Sequence, residues 1–134
     1  MLRWVAMLGL FLVLSIGQLG AVRAEDKVYG LLVGNSDYPE FKAAGQDRDL
    51  KLAKNDVVEI GKVIKRLDPK ANVEAKLDVS LKDMLRHIGA TLKRLDDGDT
   101  FIFVFSGHGY ESGGVTYLIP SDLSPDDLSD PGVL

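Results

Sequence analysis

Cysteine is absent from all 134 residues, which excludes a disulfide framework, a zinc–thiolate site and a thiol nucleophile drawn from this chain itself. Histidine is nearly as scarce. His87 and His108 are the two present, and a separated pair without cysteine partners does not make a zinc centre. Basic charge is in the minority, with 16 Lys and Arg against 20 Asp and Glu, and there is no basic run. That balance argues against nucleic acid as a partner. Internal repeats, low-complexity tracts and any GxGxxG or Walker sequence are missing too, so nucleotide binding lacks support. Ser106 does not lie in a Gly-x-Ser-x-Gly elbow, and Asp122, Asp126 and Asp127 lack the spacing of a calcium loop. No metal site follows from the sequence.

What is present divides at residue 24. Arg3 gives a positive start, Trp4 to Leu19 is almost wholly apolar, and Ala21-Val22-Arg23-Ala24 puts small residues where a signal peptidase cuts. We therefore expect residues 1–24 to be a signal peptide and residues 25–134 a periplasmic or secreted domain. An uncleaved membrane anchor competes, because Trp4 to Val22 approaches bilayer-spanning length. Cleavage is favoured because the apolar run is short and a cut site follows; no membrane association is then expected. Removing residues 1–24 takes away Arg3 and Arg23 and no acidic residue, so the net charge moves from −4 to −6.

The remaining segment reads as one α/β unit. Val28 to Val33 is a short apolar run, consistent with a buried strand, and Gly34 to Pro39 ends it with turn-formers. A long polar loop is expected to about Asp49, the kind of segment that carries function beside a rigid sheet. Ala53, Val57, Ile60, Ile64 and Leu67 then step along one helix face, and Asp68-Pro69 stops them. Val73, Ala75 and Leu77 alternate with polar residues as a half-exposed strand does. Ser80 followed by Asp83 predicts an N-cap, with Leu81, Leu85, Ile88, Leu92 and Leu95 forming the second helix face. Phe101 to Phe105 has no polar alternation and predicts a central strand covered on both faces. Val115 to Ile119 predicts one more strand, ended by Pro120. Strands alternating with helices imply a mostly parallel sheet with helices on its faces.

In such sheets reactive groups gather outside the carboxyl ends of the strands. Ser106-Gly107-His108-Gly109-Tyr110 lies just past the most apolar strand. Glycines on both sides are expected to bend the backbone and present His108, a natural proton carrier near neutral pH, at the sheet edge. Gly109 offers a backbone N–H that can approach a reacting carbonyl as an oxyanion donor. A histidine in a glycine turn also occurs without chemistry, and spacing alone leaves both readings open. His87, among Lys82, Arg86 and Lys93, reads as a solvated helix residue.

Four ordered stretches carry a resemblance: Tyr29 to Tyr38, Leu52 to Val57, Gly98 to Gly109, and Tyr117 to Asp122. The chain is thereby similar to the caspase-like cysteine peptidases, especially their bacterial metacaspase branch. The resemblance implies a caspase-like three-layer α/β/α sandwich and peptide-bond hydrolysis by a Cys–His dyad, with proteins or peptides as substrates. It matches His108 to the catalytic histidine and Gly109 to the oxyanion-stabilising glycine. It matches Asp56 to an acidic residue that lines the specificity pocket in metacaspases, where it would pair with Arg or Lys before the cleaved bond. Asp56 reads equally well as an aspartate favoured by a helix N-terminus. No organic cofactor is implied; calcium activation, which occurs in metacaspases, is left open.

The departure from that pattern is the nucleophile. In caspases the cysteine follows the histidine by about 50 residues. Here 26 residues follow His108 and none is cysteine. We therefore expect a domain incomplete at its C-terminus, inactive by itself, with another strand and the nucleophile beyond Leu134. A non-catalytic binding or scaffolding module of the same fold is the alternative.

Overall fold

The computed structural model describes residues 26–129 and, for residues 12–16, the course of the backbone. In chain order the elements are β1 (Leu12–Ile16), β2 (Val28–Gly34), α1 (Pro39–Ala43), α2 (Ala53–Leu67), β3 (Asn72–Leu77), α3 (Leu81–Leu92), β4 (Thr100–Ser106), β5 (Gly109–Ser112) and β6 (Val115–Leu118). A single 3-10 turn at Asp127–Ser129 follows.

The two uninterrupted apolar runs become the two inner strands. β2 pairs in parallel with β3 on one side and β4 on the other, in a sheet of order β1-β4-β2-β3. Successive side chains of a strand point to opposite faces, so an all-apolar strand must be covered twice. Tyr29, Leu31 and Val33 join Phe101, Phe103 and Phe105 on one face, packed against Met84 and Ile88 of α3. Leu32 and Val104 face the other way, onto Val57, Ile60 and Ile64 of α2. The result is the expected three-layer α/β/α arrangement.

Local signals act as read. The Asp83 N–H donates to the Ser80 hydroxyl at 3.1 Å, capping α3, and α2 ends at Asp68 in extended conformation before Pro69. Gly34 allows α2 to sit close, since a Cβ there would lie 2.7 Å from the Ala53 carbonyl oxygen.

Four expectations need correction. The loop after Tyr38 holds a short helix, α1, started by Pro39 at its first turn and anchored by the buried Phe41. The stripe of α3 is rotated: Met84 and Thr91 are its buried residues, and Leu81, Leu85 and Leu92 are exposed. On α2, Leu67 is exposed although the four apolar residues before it in the stripe face inward. The last predicted strand leaves the main sheet and forms a separate antiparallel hairpin, β5 with β6. Its two-residue turn, Gly113-Gly114, has both φ angles positive (58° and 80°), which favours glycine and fits a type I′ hairpin.

Most of the expected leader lies outside the described residues. Leu12–Ile16 runs antiparallel beside β4, with Leu12 opposite Phe105 and Ile16 opposite Phe101. Among the described residues no helix is long and apolar enough to cross a membrane.

Candidate active site

The carboxyl ends of β2, β3 and β4 lie side by side, because Gly34 is in register with both Leu77 and Ser106. The residues that follow these ends build the site. Asn35 comes first. Its N–H donates to the Ser106 carbonyl (2.9 Å), its Oδ1 accepts the Val79 N–H (2.8 Å), and its Nδ2 donates to the Val79 carbonyl (3.2 Å). A longer bond reaches the Ile119 carbonyl (3.5 Å). This buried amide joins the end of β2, the β3–α3 connection and the segment after β6.

Asp78 ends β3 with φ at 50°, a left-handed conformation that aspartate tolerates better than most residues. Its Oδ1 accepts the N–H groups of Ser36 (2.9 Å) and Asp37 (3.0 Å), and Lys54 bridges Asp78 to Asp37. Burial pushes the Asp78 carboxyl up, but Lys54 and the two backbone N–H groups together outweigh that and hold it below its ordinary value.

His108 follows Gly107 past the end of β4 and is half-buried. Its backbone N–H donates to the Tyr38 hydroxyl (2.9 Å), and the Tyr38 ring lies 4.8 Å from the imidazole at 55°. Its Nε2 is 2.7 Å from the Arg48 carbonyl oxygen. A carbonyl can only accept, so this hydrogen bond assigns the hydrogen to Nε2, and in the neutral ring Nδ1 is then the proton acceptor. Tyr38 is wholly buried, and burial is the main reason its hydroxyl is held far above the ordinary tyrosine value. It therefore stays a neutral phenol at any pH of interest. Tyr38, Phe41, Ile119, Leu123 and Leu128 form a small separate core beneath this edge, which holds α1 and the hairpin together.

The glycines act differently from the expectation. Positive φ angles occur at Gly45, Gly98, Gly113 and Gly114, not at Gly107 or Gly109. Gly107 is needed for space: a Cβ there would lie 2.7 Å from the Phe105 ring and 2.8 Å from the Tyr38 hydroxyl. Gly109 opens β5 opposite Leu118. Because the Ile119 N–H bonds the His108 carbonyl (3.0 Å), Gly109 and Leu118 form a non-hydrogen-bonded pair, and the Gly109 N–H turns away from β6.

Asp56 sits in the first turn of α2, half-buried, and its Oδ2 accepts a hydrogen bond from Ser106 Oγ (3.0 Å). The helix-start reading and the edge location thus hold together. Asp56, His108 and Gly109 all come to the same carboxyl edge. His87 stays away on α3; it is half-buried rather than solvated, and burial followed by Lys76 and Arg86 lowers its pKa. Among the described residues no group of three or more His, Asp or Glu is placed to hold a metal ion.

Sequence reading missed Tyr38, Arg48 and Asn35 as parts of the site. Arg48 contributes through its backbone, which leaves no side-chain signature. The hairpin was missed as well; its signal was Gly113-Gly114 between two short runs.

A mostly parallel sheet between two helical layers, with Ser106-Gly107-His108-Gly109 at its carboxyl edge, is consistent with a caspase-like domain. The caspase domain model of the peptidase C14 family matches residues 27–130, and the chain belongs to that family. It is 34% identical over 105 residues to the mouse protein named mucosa-associated lymphoid tissue lymphoma translocation protein 1 homolog. Over 99 residues it is 34% identical to the human mucosa-associated lymphoid tissue lymphoma translocation protein 1. These matches cover 78% and 74% of this chain but 12% and 11% of the relatives, so the chain spans a small part of their length. No solved structure matches it.

Proposed function

We propose that this domain is the histidine-bearing part of an exported cysteine endopeptidase, with His108 as acid–base residue and a thiolate supplied from outside these 134 residues. The observation that carries the reading is the hydrogen bond from His108 Nε2 to the Arg48 carbonyl, since it leaves Nδ1 as the base. In the proposed cycle Nδ1 takes the thiol proton and the sulfur attacks the peptide carbonyl. The ring then returns that proton to the leaving amine, and water hydrolyses the acyl-enzyme. The Gly109 N–H, turned away from β6, would meet the tetrahedral oxyanion. Asp56 would pair with Arg or Lys before the cleaved bond, with Ser106 Oγ holding one of its oxygens. Residues 1–24 would direct export to the periplasm or medium. No organic cofactor is invoked, and calcium activation is a matter for the same assay.

The test is to extend the reading frame past Leu134, to include the residue about 50 positions beyond His108. The product is assayed on paired reporter peptides ending in Arg and in Asp, with and without calcium. Cleavage of the Arg reporter is expected, falling by roughly 10²–10⁴-fold in His108→Ala. Preference for Asp would retire the role of Asp56, and full activity in His108→Ala would retire the mechanism. Absence of cysteine from this chain favours the second reading, a non-catalytic binding module; a frame without a cysteine in that region would establish it.

A further inference from the structure

Four residues close a circuit around the imidazole. The His108 N–H donates to Tyr38 Oη, and the Tyr38 N–H donates to Asp49 Oδ1 (3.0 Å). Asp49 is bonded to Arg48, whose carbonyl accepts His108 Nε2–H. Tyr38 thus holds the histidine with its side chain and, with its backbone, the loop that supplies the histidine's acceptor. Asp49 Oδ2 adds Lys42 Nζ at 3.0 Å, from the α1 helix that starts directly after Tyr38.

The loop is fixed at its ends by other bonds. The Gln46 N–H donates to the Phe41 carbonyl and the Leu50 N–H to the Ser36 carbonyl, both at 2.8 Å. Between them lies the peptide group that carries the Arg48 carbonyl and the Asp49 N–H. That N–H donates to Asp47 Oδ1 at 3.1 Å, a local turn bond that sets the peptide plane. The Asp49 carboxylate is the side chain that ties this peptide across to Tyr38. The Tyr38 N–H first, and Lys42 second, hold its carboxyl below the ordinary value, so it is ionised and accepting at neutral pH.

The geometry points to Asp49 as a positioning residue that acts through the Arg48 carbonyl to hold His108 as the Nε2–H tautomer. It touches no reacting atom. Its effect is to keep Nδ1, rather than Nε2, as the basic nitrogen. This deepens the peptidase reading and rests on His108 being the proton carrier.

The experiment reads the imidazole directly, so it requires neither thiolate nor turnover, and its failure is separate from failure of the peptidase reading. The full chain is labelled with 15N-histidine and examined by magic-angle-spinning NMR above pH 8, which needs no monodisperse solution. Each neutral ring reports its tautomer through the separation of its two nitrogen shifts. With only two histidines, His87 serves as the internal reference. In the unaltered chain His108 should be predominantly Nε2–H. In Asp49→Ala that excess should fall about fivefold, the ratio set by loosening one hydrogen bond, while His87 stays as it was. Asp49→Asn retains an Oδ1 acceptor for the Tyr38 N–H and should restore most of the excess; Lys42→Ala, which removes an exposed ion pair, should leave it intact. A single Nε2–H tautomer persisting in Asp49→Ala overturns the proposal. So does an Asn variant as impaired as the Ala variant, or an unaltered chain in which His108 already averages both tautomers.

Discussion

Replacing Asn35 with alanine tests how the edge of the sheet is held together. The side chain makes two bonds to the backbone of Val79, at 2.8 and 3.2 Å, and a longer one to Ile119. Asn35, Val79 and Ile119 are all buried, so truncation leaves the Val79 N–H facing neither protein partner nor solvent, while the Val79 carbonyl keeps the Ser121 N–H at 3.0 Å. One orphaned buried group costs about 1–3 kcal/mol. Since about 1.4 kcal/mol is a factor of ten, the Val79 amide should exchange with solvent roughly tenfold faster in Asn35→Ala. Exchange at Leu31 and Leu32, in the middle of β2, should change much less, because their ladders to β3 and β4 are untouched. Amide exchange read by NMR or by peptide mass spectrometry measures both. A rise at Val79 of less than about threefold would refute the reasoning, because the amide would then contribute no more than water does. An equal rise across β2 would show that Asn35 supports the whole sheet rather than its carboxyl edge.

Three further outcomes follow from the same structure. Gly107→Ala forces a methyl against the buried Phe105 ring and the Tyr38 hydroxyl, and should destabilise by about 1–3 kcal/mol, read from the denaturant midpoint; an unchanged midpoint would mean that β4 shifts freely. Asp78 has its carboxyl held below the ordinary aspartate value of 3.8, so its contribution is fully present above that value and is lost as pH falls through the lowered one. Acid unfolding below about pH 4 should therefore move to higher pH in Lys54→Met, which removes the cation from Asp37 and Asp78. Finally, residues 25–134 lack the strand that runs beside β4, leaving that edge open for pairing with another chain. We expect this piece to associate or fold loosely in size-exclusion and light-scattering measurements; a monodisperse monomer with a sharp thermal transition would contradict the expectation.

The sequence by itself determined the layers. Phe101 to Phe105 and Val28 to Val33 lack polar alternation, so both faces had to be covered, and the stripe from Ala53 to Ile64 supplied one cover. Ser80 and Pro69 marked helix ends because capping and proline geometry are local effects. The positions of His108, Gly109 and Asp56 were legible as a pattern of residue types in order. Tertiary structure decided what the pattern could not. The acceptor for His108 is the backbone carbonyl of Arg48, 60 residues away, and a carbonyl is common to every residue. Periodicity gave α3 its stripe but not its rotation, which was set by Met84, Ile88 and Thr91 turning inward while three leucines stayed outside. Local rules fix elements because they depend on neighbours in the chain; a site joins groups distant in sequence, and only packing brings those within hydrogen-bonding reach.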